Sequence, residues 1–205
     1  MNQQEVKKIY GRYSSTYDKT FAHIFFPRIK IGIEKSGIQK GDRVIEAGVG
    51  TGISLSLYPR DCQVVGIDFT RKMIDKAQEK KDLHRLDHVE LIEMDAENMT
   101  FDDNSFDHSL AAFVITVVPN PEKMVSEMKR VTKKGGGILI FNHFSSKNPV
   151  LAGMNRFFSP LTEKCGWRSD ITLDFLSSRC NLQINEVLKK NRLDPYSIII
   201  ATNNK

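Results

Sequence analysis

The stretch Val44-Ile45-Glu46-Ala47-Gly48-Val49-Gly50-Thr51-Gly52 limits what this chain can become more than any other. An apolar run that ends on an acidic residue and passes into glycines at alternate positions reads as the first strand of an open α/β sheet, feeding a loop that holds a nucleotide-like cofactor. Such a strand-loop-helix unit brings backbone N–H groups and the positive end of a helix close to a ligand, and glycine permits the close approach. The spacing narrows the reading. The fingerprint G-x-G-x-x-G requires glycine at position 53, where Ile53 stands, and the third glycine comes one residue early. A glycine loop alone is also compatible with a tight turn, so the rest of the chain must decide.

At 205 residues the chain suits one α/β domain, with residues 1–35 as a helical arm and 36–205 as the core. No stretch approaches the ~20 uncharged apolar residues of a spanning helix, and no signal-peptide apolar core is present, so a cytoplasmic protein is expected. Cys62, Cys165 and Cys180 are odd in number and far apart, without a Cys/His ligand cluster; they read as free thiols, with neither a disulfide framework nor a metal site. A formal charge of +5 and a pI near 9.0 favour an anionic partner, either nucleic acid or an anionic membrane surface.

The charge is concentrated at the start. Residues 1–35 carry seven lysines and arginines against three acidic residues, a net +4. Val6, Ile9, Tyr10, Tyr13 and Tyr17 recur at helical spacing, followed by the apolar run Phe21 to Phe26 and then Pro27. A basic, aromatic-rich amphipathic segment suits a lipid interface with anionic headgroups. The same apolar face can equally pack on the core and close over the cofactor, and a mobile lid would combine the two.

Beyond the glycine loop, Ile53 to Tyr58 is expected to start a crossover helix. The second strand, Gln63 to Asp68, ends in an acid 20 residues after Gly48. Ligands of doubly wound sheets lie across the carboxyl ends of the strands, where Asp68 can accept both ribose hydroxyls. Helix 70–82 is followed by strand Val89 to Met94 and then Asp95-Ala96; strand His108 to Ile115 lies at the switch point; Pro119 to Lys134 reads as a helix with Met124, Val125, Met128 and Val131 on a core-facing stripe. Gly135-Gly136-Gly137 is expected to turn the chain into a fifth strand, Ile138 to Phe141, ending at Asn142-His143-Phe144. Asn185 to Lys189 and Tyr196 to Thr202 read as an antiparallel pair at the sheet edge.

Acidic-x-G-x-G-x-G, with Asp68 and Asp95, resembles the class I S-adenosylmethionine-dependent methyltransferases. Tyr10…Tyr17-Asp18, Thr116-Val117-Val118-Pro119, Asn142-His143-Phe144 and Gly166-Trp167-Arg168-Ser169-Asp170 narrow the resemblance to the bacterial phosphatidylethanolamine N-methyltransferases, over roughly residues 10–175. The resemblance implies a Rossmann-like, doubly wound seven-stranded sheet and S-adenosylmethionine as cofactor, with no metal. It implies cofactor contacts from Tyr17, Glu46, Gly48, Gly50, Thr51, Gly52, Asp68, Phe69, Asp95, Ala96 and Phe113, Asp95 and Ala96 serving the adenine. It also implies an acceptor that lives in a membrane: phosphatidylethanolamine, methylated stepwise towards phosphatidylcholine by an enzyme attached peripherally to the inner face of the cell membrane; a monomer is expected.

Direct displacement at a sulfonium methyl needs no covalent enzyme intermediate, so the lack of a nucleophile-base pair is no objection. The ethanolamine ammonium must first lose a proton; His143 is a candidate acceptor or proton path. Tyr10 and Tyr17 can close over the cations with ring faces and phenolic oxygens. Lys164 or Arg168 can hold the lipid phosphate, and Trp167 belongs to the same acceptor-side segment. Structural readings compete for each: a histidine bonded to backbone, tyrosines packed on a helix face, solvated surface cations. Two other functions fit the cofactor motifs, a methyltransferase for a quinone or other small apolar acceptor and a non-catalytic lipid-binding protein on this fold. Nucleic acid ranks last as partner, because Val114 to Pro121 reads Val-Ile-Thr-Val-Val-Pro-Asn-Pro where an amino-methylating N-P-P-[YF] motif would stand.

Overall fold

The computed structural model describes residues 17–144, 171–189, 194 and 196–205, the side chains of 17–24 excepted. Seven strands form one sheet in the order β3-β2-β1-β4-β5-β7-β6: β1 (Arg43–Ala47), β2 (Gln63–Asp68), β3 (Val89–Glu93), β4 (Phe106–Ala112), β5 (Thr132–His143), β6 (Gln183–Leu188) and β7 (Tyr196–Thr202). The first five are parallel; β7 runs antiparallel to both β5 and β6. The doubly wound seven-stranded α/β fold expected from the sequence is the fold observed. The expected antiparallel pair lies at the edge, with β7 inserted between β5 and β6.

β1 is apolar without alternation because both its faces are covered. Ile45 and Ala47 join a core with Val65, Ile67 and Ile140, beneath α3 (Pro121–Val131). Val44 joins the opposite core with Val64, Leu110, Leu139 and Phe141, beneath α1 (Tyr17–Lys35) and α2 (Arg71–His84). The stripe of α3 is as expected: Met124, Val125, Met128 and Val131 are fully buried. Its start is set by Asn120, whose side chain accepts from the Lys123 N–H at 3.0 Å, and by Pro121 in the first turn, where a missing N–H costs nothing.

Two local expectations are corrected. Between β1 and β2 there is no α-helix at Ile53 to Tyr58 but a single 3₁₀ turn, Leu55–Leu57. Pro59 explains the stop: a residue before proline is pushed out of the helical region, and Tyr58 is extended at φ −73°, ψ 142°. The three glycines at 135–137 do not precede the fifth strand but lie within it, where Gly136 and Gly137 pass against the backbone of Asp107 and the ring of His108.

The described side chains of the arm belong to the core. Phe25, Ile29 and Ile33 recur every fourth residue along α1, are all under 7% exposed, and pack with Leu139, Phe141 and Ile198 of β5 and β7. Arg28, on the same helix, pairs with Asp194 at 3.0 Å and lies over the Tyr196 ring. For residues 25–35 the core-packing reading of the arm therefore holds, with Phe26 and Ile31 left on the exposed side.

Candidate active site

The parallel strands leave their carboxyl ends at one edge of the sheet, and β1 lies between β2 and β4, so the chain winds away on both sides of it. A ligand cleft is expected at such a point, and one opens there, between the glycine loop and the ends of β2, β3 and β4.

Its floor begins at Gly48. The Gly48 and Val49 N–H groups both donate to the Ile67 carbonyl of β2, at 2.8 and 2.9 Å, which folds the loop back over the sheet. Gly48 sits at φ +74°, and a Cβ there would come within 2.6 Å of Val114. Glycine is therefore required twice, by the backbone and by the neighbour. One turn on, Gly50 donates its N–H to Asp68 at 3.0 Å.

Asp68 ends β2 and also accepts the Thr70 N–H at 2.8 Å. Burial pushes its pKa up to about 6 despite those two N–H groups, so it is largely a carboxylate at neutral pH. A carboxylate has about four acceptor sites; the Gly50 and Thr70 N–H groups and the Thr70 hydroxyl occupy three of them, holding the loop and the start of α2, and the remaining capacity faces the cleft that Asp68 lines. Phe69, Asp95 and Ala96 line the same cleft, with Gly50 and Phe113. Asp95 is fixed by the Glu97 N–H, which donates to it at 2.9 Å.

Phe113 follows β4 in a left-handed conformation, φ +59°, rare for an aromatic residue. Its N–H extends the ladder to the Phe141 carbonyl at 2.7 Å.

Three residues expected at the cofactor do not line this cleft. Glu46 is 2% exposed and does not line the cleft; its carboxylate accepts from Ser54 Oγ at 2.7 Å and from Tyr58 OH at 2.8 Å. Burial raises its pKa to about 7 against those two hydrogen bonds. Thr51 is also buried, with its carbonyl and hydroxyl both taking the Lys80 ammonium, at 2.9 and 3.1 Å. Gly52 packs the loop onto α2: at φ +76°, a Cβ would sit 2.7 Å from Leu55 and 3.1 Å from Ala77. These three build the loop from behind.

His143 ends β5, two strands from β1 and opposite Tyr196, with ring centroids 6.5 Å apart; its N–H donates to Asn142 Oδ1 at 2.8 Å. It shares the sheet edge with the cleft but does not line it among the described residues. Tyr10, Lys164, Trp167 and Arg168, and the side chain of Tyr17, lie outside the described residues.

The sequence reading missed Glu97, which lines the cleft, is 7% exposed, and accepts the Asn120 N–H at 2.6 Å, tying the end of β3 to the start of α3. Its signal was an acid directly after Asp95-Ala96. It missed Val117 and Val118 as cleft walls as well, although the Thr-Val-Val-Pro stretch had drawn notice for other reasons. Among the described residues, no three His, Cys, Asp or Glu side chains gather to hold a metal ion.

The cleft thus offers a half-buried acid at the end of β2, a second acid just beyond β3, apolar walls, and glycine-loop backbone between them. Acids at strand ends beside glycine-loop backbone and apolar walls suit the ribose and base of a nucleoside. Comparison with known proteins agrees. Residues 45–140 match the family model described as a methyltransferase domain. A phosphatidylethanolamine N-methyltransferase of Cereibacter sphaeroides is 37% identical over 188 residues, 91% of either chain. A demethylmenaquinone methyltransferase of Staphylococcus aureus is 27% identical, over 85% of this chain and 80% of its own. Geranyl diphosphate C-methyltransferase of Streptomyces coelicolor, solved with S-adenosyl-L-homocysteine, shares the fold at a TM-score of 0.70 and 16% identity, covering 87% of this chain and 76% of its own. With its fold, its cleft and these relatives, the chain belongs to the class I methyltransferases that use S-adenosylmethionine.

Proposed function

We propose that this enzyme methylates the amine of phosphatidylethanolamine, and then of its mono- and dimethyl forms, towards phosphatidylcholine. The observation that carries this reading is the similarity to the Cereibacter sphaeroides enzyme, which spans nearly the whole of both chains and therefore includes the acceptor side as well as the cofactor loop.

S-adenosylmethionine, when bound, would supply a sulfonium methyl to which an amine nitrogen can bond in one step as the bond to sulfur breaks and S-adenosylhomocysteine leaves. The protein's part is to hold the reactants in line, a contribution that reaches effective molarities of about 10⁵ M or more in well-oriented systems. Gly48, Gly50, Asp68 and Asp95 hold the cofactor from the sheet side. His143, at the end of β5, takes or relays the proton that the ethanolamine ammonium must lose. The same proposal gives Tyr10 and Tyr17 the task of stabilising the cations, and Lys164, Trp167 and Arg168 that of binding the lipid headgroup.

The substrate's location calls for peripheral attachment at the inner face of the cell membrane, through the basic arm and the anionic lipid surface. No helix among the described residues is long and apolar enough to cross a membrane. The second reading, methylation of a quinone, is favoured by the Staphylococcus aureus relative and by the apolar cleft wall formed by Val114, Val117 and Val118. Labelled S-adenosylmethionine offered to vesicles that contain both phosphatidylethanolamine and a demethylated menaquinone separates the two. Label in the phospholipid headgroup supports the proposal, and label confined to the quinone replaces it.

A further inference from the structure

Phe113 is the one described residue that both lines the cofactor cleft and belongs to the aromatic group formed by Phe25, Phe113, Phe141 and Tyr196. Its backbone is left-handed, which an L residue with a bulky side chain adopts only where its surroundings leave no alternative. Two of those surroundings are on the sheet: the Phe141 carbonyl takes its N–H, and the Phe141 ring meets its ring edge-on at 4.4 Å. The third comes from outside the sheet. Phe25 of α1 puts its ring centroid 4.0 Å from that of Phe113, the shortest separation in the group.

Phe25 is itself firmly placed. It is 4% exposed, Ile29 and Ile33 anchor the same helix face in the core, and Arg28 ties the helix to Asp194 and covers the Tyr196 ring. The arm helix therefore delivers a fixed ring against the residue that shapes one wall of the cleft.

We propose that Phe25 is a positioning residue for cofactor binding and methyl transfer, acting through Phe113. It touches no cleft surface itself. Its ring closes the space into which Phe113 would relax, and so keeps the Phe113 side chain and the adjoining backbone at the end of β4 in the shape that receives the cofactor. One consequence is that the arm, whose first residues the proposed function places at the lipid surface, is mechanically continuous with the cofactor cleft.

The test compares Phe25→Ala and the milder Phe25→Leu with Ile29→Ala, an equally buried residue one turn along the same helix. Affinity for S-adenosylhomocysteine is measured by calorimetry, and stability by urea unfolding; neither measurement depends on the identity of the methyl acceptor. Phe25→Ala should weaken binding by about tenfold and Phe25→Leu by less, while Ile29→Ala loses stability with unchanged affinity. Combined with Phe113→Ala, Phe25→Ala should add little further loss, since the two act as a unit. Equal affinities for the Phe25 and Ile29 variants, or independent effects of Phe25→Ala and Phe113→Ala, would overturn the assignment. If Phe25→Ala does not fold, Phe25→Leu decides by the same comparison.

Discussion

Replacing Glu46 by glutamine should make the protein more stable at alkaline pH, although the acid belongs to the most conspicuous motif in the chain. Its carboxyl group is 2% exposed and its pKa stands near 7, against 4.5 for a free glutamate. Below the unfolded value both states hold the proton, and ionisation has no effect on folding. As pH rises from 4.5, the unfolded chain ionises while the folded one keeps its proton, so stability falls until the folded group also ionises near 7 and is constant beyond. The full difference corresponds to roughly 3 kcal/mol. That is a sizeable part of the 5–15 kcal/mol typical of a domain.

Glutamine removes the ionisation and keeps the shape. Its carbonyl can accept from Tyr58 OH, and its amide can donate to Ser54 Oγ, whose hydroxyl turns readily. Urea unfolding without cofactor, from pH 4 to pH 8, should show parent and Glu46→Gln nearly equal at the acid end and the variant ahead by up to roughly 3 kcal/mol at the alkaline end. Taking the difference between the two proteins cancels the other titrating groups, Asp68 among them. A difference that does not change with pH would refute the reasoning. Because Glu46 supports the loop from behind, the variant should also bind S-adenosylhomocysteine about as well as the parent; a large loss of affinity would return Glu46 to the cofactor.

Gly48→Ala combines a positive φ with a Cβ only 2.6 Å from Val114, so it should cost about 2–3 kcal/mol in urea unfolding and sharply weaken cofactor binding by calorimetry. Asp68→Asn should weaken S-adenosylhomocysteine binding by tenfold or more, since a charge-assisted hydrogen bond is worth about 1.5–3 kcal/mol. The parent's affinity should itself fall as pH drops through about 6, where Asp68 gains a proton, and a calorimetric pH series on both proteins checks that the dependence vanishes in the variant.

What could be read from the sequence was whatever local chemistry alone decides. The strand before Gly48, the acids closing β2 and β3, and the 3-4 spacing of Met124, Val125, Met128 and Val131 each carry their own signature. The direction of a side chain at a strand end was harder. Glu46 shares its strand face with Val44, two residues earlier, and Val44 packs in the core that holds Leu55 and Tyr58; the period of two therefore pointed away from the cleft, but the motif drew attention first. The short segment 53–58 alternates apolar residues with serine and has no helical spacing; only its place between two parallel strands suggests a crossover helix, and Tyr58-Pro59 limits it to one turn. Neither the left-handed backbone of Phe113 nor its contact with Phe25, 88 positions earlier, has any local signal. Those depend on how α1 lands on the sheet.

The central claim concerns the bond that forms. NMR of the product made from S-adenosylmethionine with an isotope-labelled methyl, using the full chain and vesicles of phosphatidylethanolamine and an anionic phospholipid, observes that bond directly. The expected signal is a labelled methyl on the ethanolamine nitrogen, growing through the mono- and dimethyl forms. A protein that binds the cofactor but leaves the headgroup unlabelled in such vesicles, while methylating a quinone ring carbon, would contradict it.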